Sequence, residues 1–181
     1  MTKKFEEKTI HSTPIYEGKV VDLRVDEVSL PNGKTTKREL IKHPGAVAVI
    51  AITKENKILF VEQYRKPLEK SLVEIPAGKV EHGEAPEVTA KRELEEETGY
   101  TTGELSFVTS FYTSPGFADE LMHIYITDEV EKMEEPIGSD EDEFVDVLEL
   151  TLDEAKELVE QERIHDAKTT YAILYLHALG R

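Results

Sequence analysis

The stretch Gly78-Lys-Val-Glu-His-Gly-Glu84-Ala-Pro-Glu-Val-Thr-Ala-Lys-Arg92-Glu93-Leu94-Glu95-Glu96-Glu97-Thr98-Gly99-Tyr100 carries more information than any other part of the sequence. Pro86 suits the first position of a helix, where a missing N–H costs nothing, and Gly99 suits the left-handed position just past the end. A helix over 86–98 is therefore predicted. On it Glu97 lies ~40° from Glu93 and Glu96 lies ~60° to the other side, so three carboxylates share an arc of about 100°. Like charges at i,i+4 destabilise a helix by ~0.2–0.5 kcal/mol per pair, and glutamates in the last turn face the negative end of the helix dipole. Arg92 reaches Glu96 at i+4, but Glu93 and Glu97 form a close anionic pair. A hard divalent cation, which takes oxygen ligands, is the natural neutraliser, and functional sites are where local rules are expected to fail.

The rest of the composition fits a globular chain. Among 181 residues, 38 Asp plus Glu face 22 Lys plus Arg, a net charge of −16, and 39% are hydrophobic. A chain of this length buries roughly 70% of its unfolded surface. Its acidity repels phosphate backbones, which disfavours nucleic acid as a partner. No run approaches the ~20 apolar residues of a membrane-spanning helix, and the first residues lack an apolar leader core, so a cytoplasmic protein without membrane contact is expected. The absence of cysteine excludes disulfides, thiolate metal sites and cysteine nucleophiles. The six histidines are scattered without ligand spacing. Chemistry is left to carboxylates, histidines and hydroxyls.

Charge divides the chain unevenly: residues 1–43 carry +2 and the remainder −18. Residues 1–43 are read as a small antiparallel sheet, with Val21, Leu23 and Val25 alternating against charged residues and Pro31-Asn32-Gly33 as a hairpin turn. Two or three strands are marginal alone, so this sheet is expected to pack on the main domain or on a second subunit. Residues 44–181 are read as that main domain. There 46–52 is a continuous apolar run suited to a buried strand, expected to turn through 54–57 into 58–61 as a second hairpin. Further strands fit 105–111, 121–127 and 144–148. One helix follows Thr151-Leu-Asp-Glu154, which has capping-box spacing, and another spans about 166–179. Helices and strands mix without a regular βαβ repeat, an α/β pattern.

The quoted stretch resembles the Nudix box: Gly, five residues, Glu, seven residues, Arg-Glu, an aliphatic residue, one residue, Glu-Glu, one residue, Gly, then a hydrophobe. Gly78, Glu84, Arg92, Glu93, Leu94, Glu96, Glu97 and Gly99 fill the fixed positions, and Tyr100 stands where an aliphatic residue is more usual. The resemblance implies an α/β/α sandwich with a mixed sheet that cleaves a nucleoside diphosphate linked to another group. It implies Glu93 and Glu97 as principal metal ligands, Glu96 as a further ligand or a partner through water, and Ala77 as a backbone-carbonyl ligand. Arg92 would orient the carboxylates, Glu84 would support them, and Mg²⁺, with Mn²⁺ as substitute, would be the cofactor.

Other segments are similar to the ADP-ribose pyrophosphatase branch of that family. They are His43-Pro-Gly-Ala-Val-Ala-Val49, Glu62-Gln-Tyr-Arg65, Glu74-Ile-Pro-Ala-Gly78, and the loop 114–120 that places Pro115 fifteen to sixteen residues after the box. By that likeness Arg65 would contact the diphosphate and Glu120 would sit near the terminal ribose. Arg38 and Glu39 lie on the strand that approaches the adenine of a neighbouring subunit's substrate, and a homodimer through the N-terminal sheet is implied. Asp140-Glu-Asp-Glu143 resembles the loop that supplies the catalytic base, and both Glu141 and Glu143 stand as candidates. The implied reaction is Mg²⁺-dependent hydrolysis of ADP-ribose to AMP and ribose 5-phosphate. The alternatives are other nucleoside diphosphate sugars, dinucleoside polyphosphates or an oxidised nucleoside triphosphate as substrate, a nucleotide-binding sensor without turnover, and a plain acidic interaction protein.

Overall fold

The computed structural model describes residues 4–135 and 144–181. These fall into two compact units, Met1–Gly45 with Tyr112–Leu121, and Ala46–Phe111 with Met122–Arg181. The sequence boundary at residue 43 thus lies near the first break, but 112–121 joins the first unit, which the reading as 1–43 and 44–181 did not include. Its attachment is specific: the Ile41 N–H donates to the Phe117 carbonyl at 2.7 Å, and Ile41 and Ala118 form a parallel bridge.

The first unit is a three-stranded antiparallel sheet in the order β1 (Lys8–Glu17), β2 (Asp22–Ser29), β3 (Thr35–Lys42). The predicted turn joins β2 to β3, with the Leu30 N–H bonded to the Lys34 carbonyl at 2.7 Å and Gly33 at φ +81°, a conformation that glycine adopts without a Cβ penalty. Strand β1 carries no apolar alternation, because both of its faces are exposed. Its pairing is pinned instead by Asp26, which is buried and accepts hydrogen bonds from Ser12 at 2.6 Å and Thr9 at 3.1 Å.

The second unit contains β4 (Ala46–Ala51), β5 (Ile58–Arg65), β6 (Lys70–Glu74), β7 (Ala77–Lys79), α1 (Pro86–Thr98), β8 (Tyr100–Thr102), β9 (Ser106–Tyr112), β10 (Leu121–Thr127), β11 (Val130–Lys132), β12 (Val145–Leu150), α2 (Leu152–Glu160) and α3 (Ala167–Ala178). One sheet runs β7-β4-β10-β9 and is mixed, with β4 parallel to β10 and antiparallel to β7. A second, antiparallel, runs β12-β5-β6, and β8 pairs with β11. Strand β4 explains the sandwich. Ala46, Ala48 and Ile50 enter one core with Ala155 of α2 and Ala172, Ile173 and Leu176 of α3, whereas Val47, Val49 and Ala51 enter another with Ala90 and Leu94 of α1. A strand covered by helices on both faces is apolar at every position, hence the unbroken run.

The expected hairpin between 46–52 and 58–61 is not formed as such. Ile52 and Ile58 make an isolated antiparallel bridge across the Thr53–Lys57 turn, after which β4 and β5 diverge into different sheets. Each strand needs both of its edges for other partners, and local hairpin signals do not reveal that competition. The helices follow the sequence signals closely. Pro86 opens α1 and Gly99 closes it at φ +69°. Thr151 and Glu154 form a reciprocal capping box at the start of α2. Thr151→Ala removes the hydroxyl that accepts the Glu154 N–H, leaves the Thr151 N–H bond to the Glu154 side chain, and is expected to cost about 1 kcal/mol. For a chain of this size that is a fall of roughly 2–4 °C in Tm by calorimetry.

Candidate active site

Helix α1 positions the acidic ridge. Its Ala90 and Leu94 are fully buried, which fixes the rotation of the helix and turns Glu93 and Glu97 inward at 8% and 5% exposure. Arg92 forms the centre of the charge cluster. It donates to Glu96 at 2.7 Å and to Glu84 at 3.4 Å, and its Nη1 lies 3.0 Å from a Glu93 oxygen. Desolvation alone would lower the pKa of this guanidinium, but the charge of Glu93 and the hydrogen bonds to Glu96 and Glu84 outweigh it and hold it above its ordinary value. Glu84, just ahead of α1, accepts from Thr89 at 2.7 Å, and that bond, aided by Arg92, holds its carboxyl below the usual range. It also lies at the positive end of the helix dipole.

A second element completes the arrangement. The Ala77 N–H donates to Glu97 Oε2 at 2.9 Å, and a Cβ built on Gly78 would stand 1.9 Å from the carboxyl carbon of Glu93. Position 78 is therefore glycine because the Glu93 carboxylate occupies the space a side chain needs. Ala77, which the Nudix resemblance names for its carbonyl, contributes its amide here. Among the described residues no three His, Asp or Glu side chains converge as a closed ion cage, and Glu96 is turned onto Arg92. The donor set still fits a hard divalent cation. It consists of carboxylate oxygens on one face, held from behind by an amide and backed by a glycine.

Behind this ridge lies a buried ionic cluster. Arg65 forks onto Glu74 with bonds of 2.6 and 2.7 Å, and Lys168 contacts the same carboxylate and Asp166. Arg65 is thus committed to Glu74 rather than standing as an isolated cation, although Glu97 also acts on its charge. Burial would raise the Glu74 pKa, but the Arg65 fork and the Lys168 ammonium outweigh it and leave it below the ordinary range.

Within the first unit, Glu120 accepts from the Thr113 hydroxyl and lies 3.7 Å from His43 Nε2, while Pro115 lies in the loop that Ile41 holds. Arg38 is forked onto Glu7 at 2.7 and 2.9 Å, and Glu39 faces Val25 across β2–β3. Glu141 and Glu143 lie outside the described residues. Sequence reasoning missed Glu74 as an ionic centre, together with Lys168, Asp166 and Thr169. The available signal was a lysine in the first turn of a helix that carries no other Lys, Arg, Asp or Glu. Tyr100, the unusual residue at the end of the box, packs its ring against the α1 core and donates its hydroxyl to Glu149 at 2.7 Å.

The chain belongs to the NUDIX domain family, whose model matches residues 42–172. Residues 7–41 match the nucleoside diphosphate sugar hydrolase N-terminal domain. The chain is 60% identical to an ADP-ribose pyrophosphatase of Bacillus subtilis over 96% of its own length and 94% of the relative's. It is 62% identical to a methanol dehydrogenase activator of Bacillus methanolicus over 97% and 95% of the two chains. A solved structure described as an ADP compounds hydrolase shares the fold at a TM-score of 0.84 and 17% identity, covering 98% of this chain and 96% of that one.

Two outcomes test the geometry. Gly78→Ala must displace the Glu93 carboxylate and is expected to weaken Mn²⁺ binding at least about tenfold by electron paramagnetic resonance. Gly103→Ala, where a Cβ meets nothing within 4 Å, should bind as the native chain does. Glu74→Gln breaks a buried pair and is expected to cost about 3 kcal/mol near neutrality. Because the folded pKa of Glu74 is lowered, its contribution is complete above the unfolded value and is lost as pH falls through the folded one. Denaturant melts of the native and Gln chains should therefore converge as pH drops below the ordinary value of 4.5. A gap constant with pH would count against the ionic assignment.

Proposed function

We propose that the chain is a divalent-metal-dependent pyrophosphohydrolase that converts ADP-ribose and water to AMP and ribose 5-phosphate. The observation that carries this reading is the 60% identity to an ADP-ribose pyrophosphatase along nearly the whole chain, with the Glu93 and Glu97 carboxylates buried on one helix face. Glu93, Glu97, Glu96 and Ala77 would hold Mg²⁺, or Mn²⁺ in its place. When bound, the ion supplies Lewis acidity toward the diphosphate and neutralises charge that acidic residues alone would repel.

The chain's own groups do the rest. Arg92, already bonded to Glu84 and Glu96, keeps the ridge in register. Arg65 presents positive charge to the diphosphate, with its plane set by the Glu74 fork. Glu141 or Glu143 takes the proton of the attacking water, as a positioned general base. Pro115 and Glu120 serve the sugar side. Arg38, whose guanidinium plane is fixed by Glu7, offers a surface on which adenine stacks, beside Glu39. These last residues belong to a homodimer formed through the N-terminal sheet, in the cytoplasm, with neither nucleic acid nor membrane as partner. No described helix is long and apolar enough to cross a membrane.

With ADP-ribose and Mg²⁺ in ¹⁸O-labelled water, the native chain should release AMP and ribose 5-phosphate with the label in one of them. Glu93→Gln and Glu97→Gln should each lower kcat roughly 1000-fold. Intact ADP-ribose beside cleavage of another nucleoside diphosphate sugar would move the substrate assignment, and native rates in both variants would remove the catalytic one. Gln variants at 141 and 143 identify the base as the one whose loss flattens the acid limb of the rate profile.

The likeness to a methanol dehydrogenase activator supports a second role, stimulation of such a dehydrogenase. Adding the native chain to a methanol dehydrogenase should raise methanol oxidation. If stimulation works through hydrolysis, Glu97→Gln should not reproduce it.

A further inference from the structure

The reaction proposed above makes no use of Lys168 or Thr169, yet both occupy positions that packing alone does not explain. Lys168 is the second residue of α3, after the N-cap Asp166, and so lies at the positive end of the helix dipole. It is also 9% exposed, rare for lysine. Its ammonium contacts Glu74 and, at 3.0 Å, Asp166. The next side chain, Thr169, accepts the Ile75 N–H at 3.0 Å, with both residues fully buried. Two adjacent residues of α3 therefore hold two adjacent residues that precede them by 94 positions. A buried ion pair is a poor way to gain stability, since well-packed apolar residues of similar volume serve as well or better.

What the grip holds in place is the backbone of the acidic site. Directly after Ile75 comes Pro76, whose φ is locked and whose carbonyl accepts the Val49 N–H at 2.9 Å. Little slack separates the held pair from Ala77, whose N–H bonds Glu97, and from Gly78, against which the Glu93 carboxylate lies. We infer that Lys168 and Thr169 are positioning residues. By gripping Glu74 and Ile75 they set where Ala77 and Gly78 present their backbone to Glu97 and Glu93, and so set the affinity of the metal site. This inference rests on the proposed role of Glu93 and Glu97 as metal ligands.

The test is Mn²⁺ binding to full-length variants without substrate, read by electron paramagnetic resonance, with Tm recorded for each. Thr169→Val keeps the shape and loses the acceptor, while Lys168→Met keeps the stem and loses the ammonium. Each should raise the Mn²⁺ Kd about tenfold or more, as loss of groups that orient ligands does. Thr169→Ser, which restores the hydroxyl, should return within about twofold of native. Ile173→Ala removes core volume from the same helix and should lower Tm while leaving the Kd within about twofold of native. Native Kd in both Thr169→Val and Lys168→Met overturns the inference, as does an equal loss in Ile173→Ala. If Thr169→Val does not fold, the comparison of Lys168→Met with Lys168→Arg decides, a native Kd in the Met variant being the overturning result. Glu93→Gln is run alongside. Unchanged binding there brings down the metal-site reading itself, and this inference with it, whereas lost binding there with native binding in the α3 variants removes the inference alone.

Discussion

The repulsion among the carboxylates of α1 is the constraint around which the second unit is arranged. Glu93 and Glu97 are turned inward because Ala90 and Leu94 must reach the core, so the helix cannot rotate to place them in water. The chain answers with a guanidinium on one side and backbone on the other. Arg92 draws together Glu84, Glu93 and Glu96, and the Ala77 amide takes Glu97. Glycine at 78 follows from the same crowding, since the nearest side-chain volume is already taken by the Glu93 carboxylate. Burying anionic groups this closely is costly unless each is hydrogen-bonded or ion-paired.

Much of this was legible in the sequence. The limits of α1 were set by Pro86 and Gly99, the start of α2 by the Thr151 capping box, and the burial of β4 by its continuous apolar run. Local chemistry fixes such features, so local reading finds them. The separation of β4 from β5 was not legible, because it depends on β10 and β7 competing for the edges of β4. Nor was the attachment of 112–121 to the N-terminal sheet, which rests on backbone bonds between Ile41 and the 117–119 stretch and on the Asp119 carboxylate, which accepts the His43 N–H at 2.8 Å.

The candidate site divides the same way. Its helix half was visible as a spacing of glutamates, and the family match over residues 42–172 agrees with that spacing. Its other half is an ionic cluster assembled from β5, β6 and the start of α3, and none of Arg65, Glu74 and Lys168 is unusual on its own. Only the burial of Glu74 and Lys168 under the Arg65 fork makes them informative. Tyr100 teaches a similar lesson: a polar aromatic serves at a hydrophobic position because its ring is covered and its hydroxyl reaches Glu149.

The clasp between α3 and the Glu74–Ile75 pair also orders events during synthesis. The ribosome delivers the glutamate ridge and its backing strand long before it delivers Lys168 and Thr169, since the partners are 94 residues apart. Contacts this distant along the chain form late and slow folding. A nascent chain that has emerged only as far as α1 already carries the glutamate ridge but lacks the brace behind it. It must therefore await the residues from 99 to 169 before that brace exists.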